Sequence, residues 1–283
     1  MTRQADDRID LAYLTRLKAR GRKFSMLTAY DYSTALAAQS AGVHCLLVGD
    51  SLGMVVLGHD NTRQVPLSMM VTLASAVRRG APKVYLVGDM PFEAMVGGDQ
   101  AVVAAALRFR DEAHCDAVKF EAEAGHAALV EKLTAAGIDT IAHLGLRPQS
   151  VLTPDGYRAQ AREEKSLAEL VVSAKRMVAA GAAMILLEAV PNEASAAVVE
   201  AVHVPVIGCG AGAACDAHVV VTHDMLGLGN ITPPRFVPVY ADVSATIQAA
   251  MRQWVEEIDS GAYPAKQHVY GMRRKPARAP GSK

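Results

Sequence analysis

Short apolar runs alternate with longer Ala-rich stretches along the chain. Eight runs of five residues, at 24–28, 44–48, 83–87, 116–120, 139–143, 183–187, 205–209 and 218–222, are bounded by polar residues or glycine. Runs of this length suit strands buried on both faces, as in a parallel sheet. Helical patterns occupy 32–41, 68–79, 99–112, 126–136, 166–180, 192–201 and 242–260. Gly42, Gly80, Gly137 and Gly181 stand at the ends of four of these, where glycine stops a helix. Eight β-α units in 283 residues predict an α/β fold, a (β/α)8 TIM barrel. An open doubly wound sheet would need a Gly-rich phosphate loop after the first strand. AYDYS stands there instead, and the late Gly208-x-Gly210-x-Gly212 does not match the dinucleotide pattern. A leading helix at 9–19 is predicted to cover the barrel bottom. No linker interrupts the pattern, so residues 1–283 are expected to form a single domain. The basic, Pro-rich tail 273–283 is expected to be disordered. The polar insertion 153–165 reads equally as an active-site lid and as a plain solvated loop.

Composition narrows the function classes. Lys plus Arg and Asp plus Glu each number 29, and aromatics are 5%. A general nucleic-acid or membrane-surface binder would carry a basic excess and, for bases, stacking platforms. No apolar run approaches transmembrane length. The first residues carry charge throughout, without the apolar core of a secretory signal, which predicts a cytoplasmic protein. Cys45, Cys115, Cys209 and Cys215 show no C-x-x-C spacing and are read as reduced thiols rather than zinc ligands.

In such a barrel the chemistry collects at the C-terminal ends of the strands. Strand two ends in Asp50 and Ser51, strand three in Asp89, strand four in Lys119 and Glu121, strand five in His143 and strand six in Glu188. Carboxylates beside buried strands are costly unless paired or metal-bound. Asp50, Asp89 and Glu121 come from adjacent strands, and three hard oxygen ligands favour Mg²⁺ over zinc. Asp50 or Asp89 also reads as a helix N-cap. Lys119, two residues from Glu121 and on the same strand face, suits a substrate carboxylate or a developing oxyanion. It suits an ion pair with Glu121 or Asp50 as well. Glu188 stands among aliphatic residues, a setting that raises a carboxyl pKa and suits a general base, though a neighbouring cation would equally explain it. His143 is read either as a donor to substrate or metal-bound water or as a buried histidine satisfied by backbone. His59 is a weaker candidate. A divalent cation, a lysine and a base together suit proton abstraction beside a ketone, with the metal chelating a 2-oxo acid. The resulting enolate would attack a carbon electrophile, or the reverse would cleave a C–C bond.

LTAYDYS (27–33), LLVGDSLGMVVLGHDNT (46–62), AVKFE (117–121), HLGLRPQSV (143–151), LLEAVP (186–191) and HDMLGL (223–228) occur in this order. With them the chain resembles the ketopantoate hydroxymethyltransferases. The resemblance implies transfer of a one-carbon unit from 5,10-methylenetetrahydrofolate to 3-methyl-2-oxobutanoate, giving 2-dehydropantoate in pantothenate and coenzyme A biosynthesis. It implies Mg²⁺ held around Asp50, Asp89 and Glu121, and substrate contacts from Asp50, Ser51, Asp89, Lys119 and His143. It implies Glu188 as proton acceptor, and a cytoplasmic homo-oligomer, often a decamer. A diverged enzyme doing metal-dependent aldol or retro-aldol chemistry on another 2-oxo acid is the alternative, and a non-catalytic binding protein a further one. The chain departs from the family pattern at Ala122, Glu123, Ala142, Ala161, Ala217 and His218, several replacing glycine. These changes are expected to crowd the site or alter its charge.

Overall fold

The computed structural model of the chain describes residues 8–151, 157–229 and 232–272. Eight parallel strands close into a barrel in sequence order. They are β1 (Phe24–Thr28), β2 (Cys45–Val48), β3 (Tyr85–Asp89), β4 (Ala117–Glu121), β5 (Asp139–Gly145), β6 (Met184–Glu188), β7 (Val206–Cys209) and β8 (Ala217–Val220). Helices α1 (Leu11–Ala19), α2 (Tyr32–Ser40), α3 (Leu52–Val55), α4 (Leu67–Gly80), α5 (Phe92–Val96) and α6 (Asp99–Asp111) belong to the first half. The second half carries α7 (Ala127–Ala135), α8 (Glu164–Ala179), α9 (Asn192–Ala201), α10 (Thr222–Leu226) and α11 (Val243–Asp259).

The period-two alternation of the strands sorts their side chains into two cores. Outward residues such as Leu46, Leu86, Val118, Ala142, Ile185 and Val206 pack under the helices. Inward residues such as Met26, Tyr85, Ile141, Met184 and Ile207 fill the lower barrel, together with Ile9, Leu14 and Leu17. The leading helix therefore does seal the barrel floor. Asp10 caps it by accepting from the Tyr13 amide, and Lys18 holds it to Asp216 at 2.8 Å.

Gly42, Gly137 and Gly181 adopt φ of 84°, 71° and 106°, as helix stops require. Gly80 is the last residue of α4 but lacks the left-handed φ of the other three. A Cβ there would come within 2.3 Å of the Tyr32 carbonyl oxygen, so it also lets α2 and α4 approach closely. The third strand runs two residues later than its apolar run suggested and includes Asp89. A buried carboxylate paired inside the barrel defeats a reading based on apolarity alone. The short helices α3, α5 and α10 and the 3-10 turn Pro148–Ser150 sit at the upper rim and had no apolar period to announce them. The tail 273–283 lies outside the described residues.

Candidate active site

The upper barrel opens into a cavity of about 850 Å³, the size of a small-molecule site. Its wall includes Asp50, Ser51, Asp89, Lys119, Glu121, His143 and Glu188, so the structure brings all seven sequence candidates to one place. Register explains this. Asp89 lies opposite Lys119, Glu121 opposite His143, and Glu188 opposite Gly145 and Cys209. Asp50 follows β2, and its amide donates to Asp89 Oδ2 at 3.2 Å. His59 does not line the cavity, although Asp60 to Arg63 beside it do.

Four of these side chains form a line across the floor. Lys119 Nζ lies 2.8 Å from Asp89 Oδ1 and 3.2 Å from His143 Nδ1. His143 Nε2 lies 3.3 Å from Glu188 Oε2. Burial works against the Lys119 charge, but Asp89, Asp50 and Glu121 outweigh it and hold the amine protonated. An ammonium group only donates, so His143 Nδ1 is the acceptor and its proton sits on Nε2, toward Glu188. Burial, then Lys119, lowers the His143 pKa against the pull of Glu188, keeping the ring neutral. Lys119 thus pairs with Asp89 rather than with Glu121 or Asp50. His143 meets side chains at both ring nitrogens, not backbone, with Lys119 hydrogen-bonded to Nδ1 and Glu188 facing Nε2. Neither Asp50 nor Asp89 caps a helix, since Ser51 and Pro91 hold those positions. Glu188 is not enclosed by aliphatics: Leu187 and Val190 turn into the outer core, while its own carboxylate faces the cavity, partly exposed. Burial raises Asp89 to about 7 and Glu121 to about 8, with Lys119 opposing both shifts and Asp50 adding to them.

Sequence reasoning missed two residues. Gln149, from the 3-10 turn after β5, donates from Nε2 to Asp50 Oδ2 at 2.8 Å and from its backbone amide to Glu121 Oε1 at 2.9 Å. Its position inside HLGLRPQSV was the available signal. Tyr30, inside LTAYDYS, places its hydroxyl 2.8 Å from Ser51 Oγ, and burial pushes its pKa up so that it stays protonated.

None of the six divergent positions lines the cavity. Ala122 and Ala142 face the outer core, Ala217 packs in the barrel floor, and His218 is exposed on the outer face. The expected crowding is therefore absent at these positions. Glu123, expected to add charge to the site, points outward and pairs with Arg147, which holds its carboxyl below the usual range. Glu123→Gly is expected to leave catalysis unchanged and to cost at most ~1 kcal/mol, as exposed ion pairs do; melting curves and turnover of the variant check this. Ala161 does bear strain, with φ of +53°. The left-handed region costs a residue with a Cβ about 1 kcal/mol. Ala161→Gly is expected to raise the melting temperature by about 2 °C, and a lower one would show that the site prefers alanine.

Of the predicted lid 153–165, residues 153–156 lie outside the described residues. Tyr157, Arg158 and Ala159 line the cavity, and the Gln160 amide donates to Ala189 O at 2.8 Å. Ala189 itself is left-handed, with φ of +49°, turning the chain directly after Glu188.

The sequence model described as Ketopantoate hydroxymethyltransferase matches residues 8–266. A 3-methyl-2-oxobutanoate hydroxymethyltransferase of Halalkalibacterium halodurans is 41% identical over 93% of this chain and 94% of its own length. One of Carboxydothermus hydrogenoformans is 42% identical over 94% of this chain and 96% of its own. Among solved structures, phosphonopyruvate hydrolase in complex with oxalate and Mg²⁺ superposes with a TM-score of 0.61 at 15% identity, covering 92% of this chain and 93% of that one. A 2,3-dimethylmalate lyase gives a TM-score of 0.57 at 18% identity, covering 90% and 89%. These two likenesses concern the fold alone. With a family match across nearly the whole barrel and relatives above 40% identity at near-full length, the chain belongs to the ketopantoate hydroxymethyltransferase family.

Proposed function

We propose that the protein transfers a hydroxymethyl group from 5,10-methylenetetrahydrofolate to 3-methyl-2-oxobutanoate, giving 2-dehydropantoate. The observation that carries this reading is the line Asp89–Lys119–His143–Glu188 on the cavity floor. It sets a fixed cation and a carboxylate base in one small space, as abstraction of a proton next to a ketone demands.

The donor set suits a hard divalent cation. Asp50, Asp89 and Glu121 set three carboxyl groups against the single ammonium of Lys119, and Glu121 Oε2 is buried without a hydrogen-bond partner. Among the described residues, no three His, Cys, Asp or Glu side chains converge closely enough to hold an ion unaided. Mg²⁺ commonly takes one or two carboxylates and fills its other positions with substrate oxygens and water. One or two of Asp50, Asp89 and Glu121 would hold it directly, with the rest of the set facing its bound oxygens, and when bound it would supply Lewis-acid polarisation of the keto group. Lys119 and Ser51 offer donors to the oxo acid. Glu188 takes the C3 proton as the C3–H bond breaks, and the electron pair passes to C3. Water takes over the donor's methylene carbon as its two C–N bonds break and tetrahydrofolate leaves; C3 then forms the new C–C bond to that carbon as its C=O π bond opens, and the oxygen gains a proton to become the hydroxyl. The neutral His143 turns its Nε2–H toward the Glu188 carboxylate, 3.3 Å away.

The test is proton NMR of 3-methyl-2-oxobutanoate in D₂O with protein and Mg²⁺, without folate. Metal-dependent loss of the C3 hydrogen signal is the expected result. No exchange in folded, metal-loaded protein would overturn this substrate and leave aldol chemistry on another 2-oxo acid, or binding without turnover.

We extend the proposal to a homo-oligomer, a decamer by the family resemblance. Helix α11 has no buried residue, yet it exposes Met251, Trp254, Val255 and Ile258. A monomer seldom leaves such an apolar stripe in water. Sedimentation gives the mass, and a monomer at working concentration would sink this part. Among the described residues no helix is long and apolar enough to cross a membrane, and the cytoplasm is the compartment we propose.

A further inference from the structure

We propose that Gln149 is a positioning residue that fixes which oxygen of Asp50 and which of Glu121 is presented to a bound divalent cation; this rests on the cation reading above. Gln149 is 5% exposed and comes from the turn after β5, far in sequence from the carboxylates it meets. Its Nε2 donates to Asp50 Oδ2 at 2.8 Å and to Met90 O at 2.9 Å. Both partners are pure acceptors, so the orientation of the amide is fixed by its surroundings. The Met90 contact anchors the amide to the chain directly after Asp89. Its backbone N–H donates to Glu121 Oε1 at 2.9 Å. One residue therefore joins the upper ends of β2, β3 and β4 from the loop after β5.

The pattern of occupied oxygens carries the inference. Gln149 takes one oxygen of each carboxylate, Oδ2 of Asp50 and Oε1 of Glu121. Glu121 Oε2 is left buried with no hydrogen-bond partner. Each carboxylate so held presents one oxygen, which suits the strict octahedral demands of Mg²⁺ better than the bidentate contacts that Ca²⁺ accepts. Partners of this kind behind metal ligands commonly change metal affinity 10–100-fold. A residue that only filled space beneath the loop would not do so.

Gln149→Met keeps the volume and removes both amide donors, while the backbone contact to Glu121 remains. Mg²⁺ titration by calorimetry of the metal-free full-length protein, with saturating 3-methyl-2-oxobutanoate and without folate, is the measurement, with circular dichroism and melting as controls. The expected result is an affinity 10–100-fold weaker than wild type, with an unchanged circular dichroism spectrum. If the Met variant does not fold, Gln149→Asn, which keeps the amide but falls short of Asp50, is expected to show the same loss. Wild-type affinity in the folded variant overturns the role of Gln149 and leaves the cation reading standing. No Mg²⁺ binding by the wild-type protein overturns both.

Discussion

Glu188→Gln is expected to slow C3 deuterium exchange of 3-methyl-2-oxobutanoate by 10²–10⁴-fold, the contribution of a well-placed general base. The amide keeps the size of the side chain and a donor or acceptor for His143 Nε2, so the fold and the binding of the oxo acid are expected to persist. The effect should appear in the rate of exchange and not in the substrate concentration at half-saturation. A variant that exchanges at the wild-type rate would remove Glu188 from the mechanism. Asp89, whose pKa burial raises to about 7, would then be the replacement.

Lys119→Met is expected to have the largest effect on the fold. Lys119 and Asp89 are both almost wholly buried and lie 2.8 Å apart. Removing one partner of such a pair leaves an uncompensated charge, at a cost of about 3–5 kcal/mol. The sign of the pH dependence follows from Asp89. Burial lifts its folded pKa to about 7, above the model-peptide range, even with Lys119 opposing. Protonation of Asp89 therefore favours the folded state, and that contribution fades as pH rises through the folded pKa. Without Lys119 the folded pKa rises further. The deficit of the variant should be small near pH 5 and grow toward pH 8, measured by denaturant unfolding in chelator. A deficit independent of pH would show that lost packing, and not the stranded carboxylate, sets the cost. Activity should vanish at every pH, because the ammonium that contacts His143 and lines the cavity is gone.

The barrel was legible because strands buried on both faces leave five-residue apolar runs, and eight of them without a Gly-rich phosphate loop after the first separate a barrel from an open parallel sheet. The acidic strand ends were legible for the same reason: Asp50, Asp89, Glu121 and Glu188 interrupt apolar segments where a charge is costly. Pairing was not legible. Sequence spacing places Lys119 beside Glu121, yet barrel stagger sets Asp89 directly across from it. Beyond its place in HLGLRPQSV, nothing singled out Gln149, because a glutamine after Arg147-Pro148 looks like any loop residue until the 3-10 turn carries it to two carboxylates. The divergent positions were misjudged because adjacency in sequence was taken for adjacency in space. Ala122 and Glu123 follow Glu121 directly, but the strand has already delivered its side chain inward, and the next two residues belong to the outer layer and to solvent. Gly80 ends its helix as the pattern predicts, but the reason for a glycine there, close contact with α2, was not legible.

The plug formed by Ile9, Leu14 and Leu17 makes the cavity a blind well. Its floor continues into the same packed layer through Leu47, Leu186 and Val219. On the proposed reaction, a small acid seated against Lys119 and Glu188 would arrive and depart through the rim, the one opening among the described residues, and the bulkier folate would lodge there too. Traffic through one opening imposes a queue: acid first and folate second on the way in, spent folate first and the lengthened acid second on the way out. Steady-state patterns should accordingly show an acid analogue competing with 3-methyl-2-oxobutanoate alone, and excess folate loaded ahead of the acid acting as a stopper.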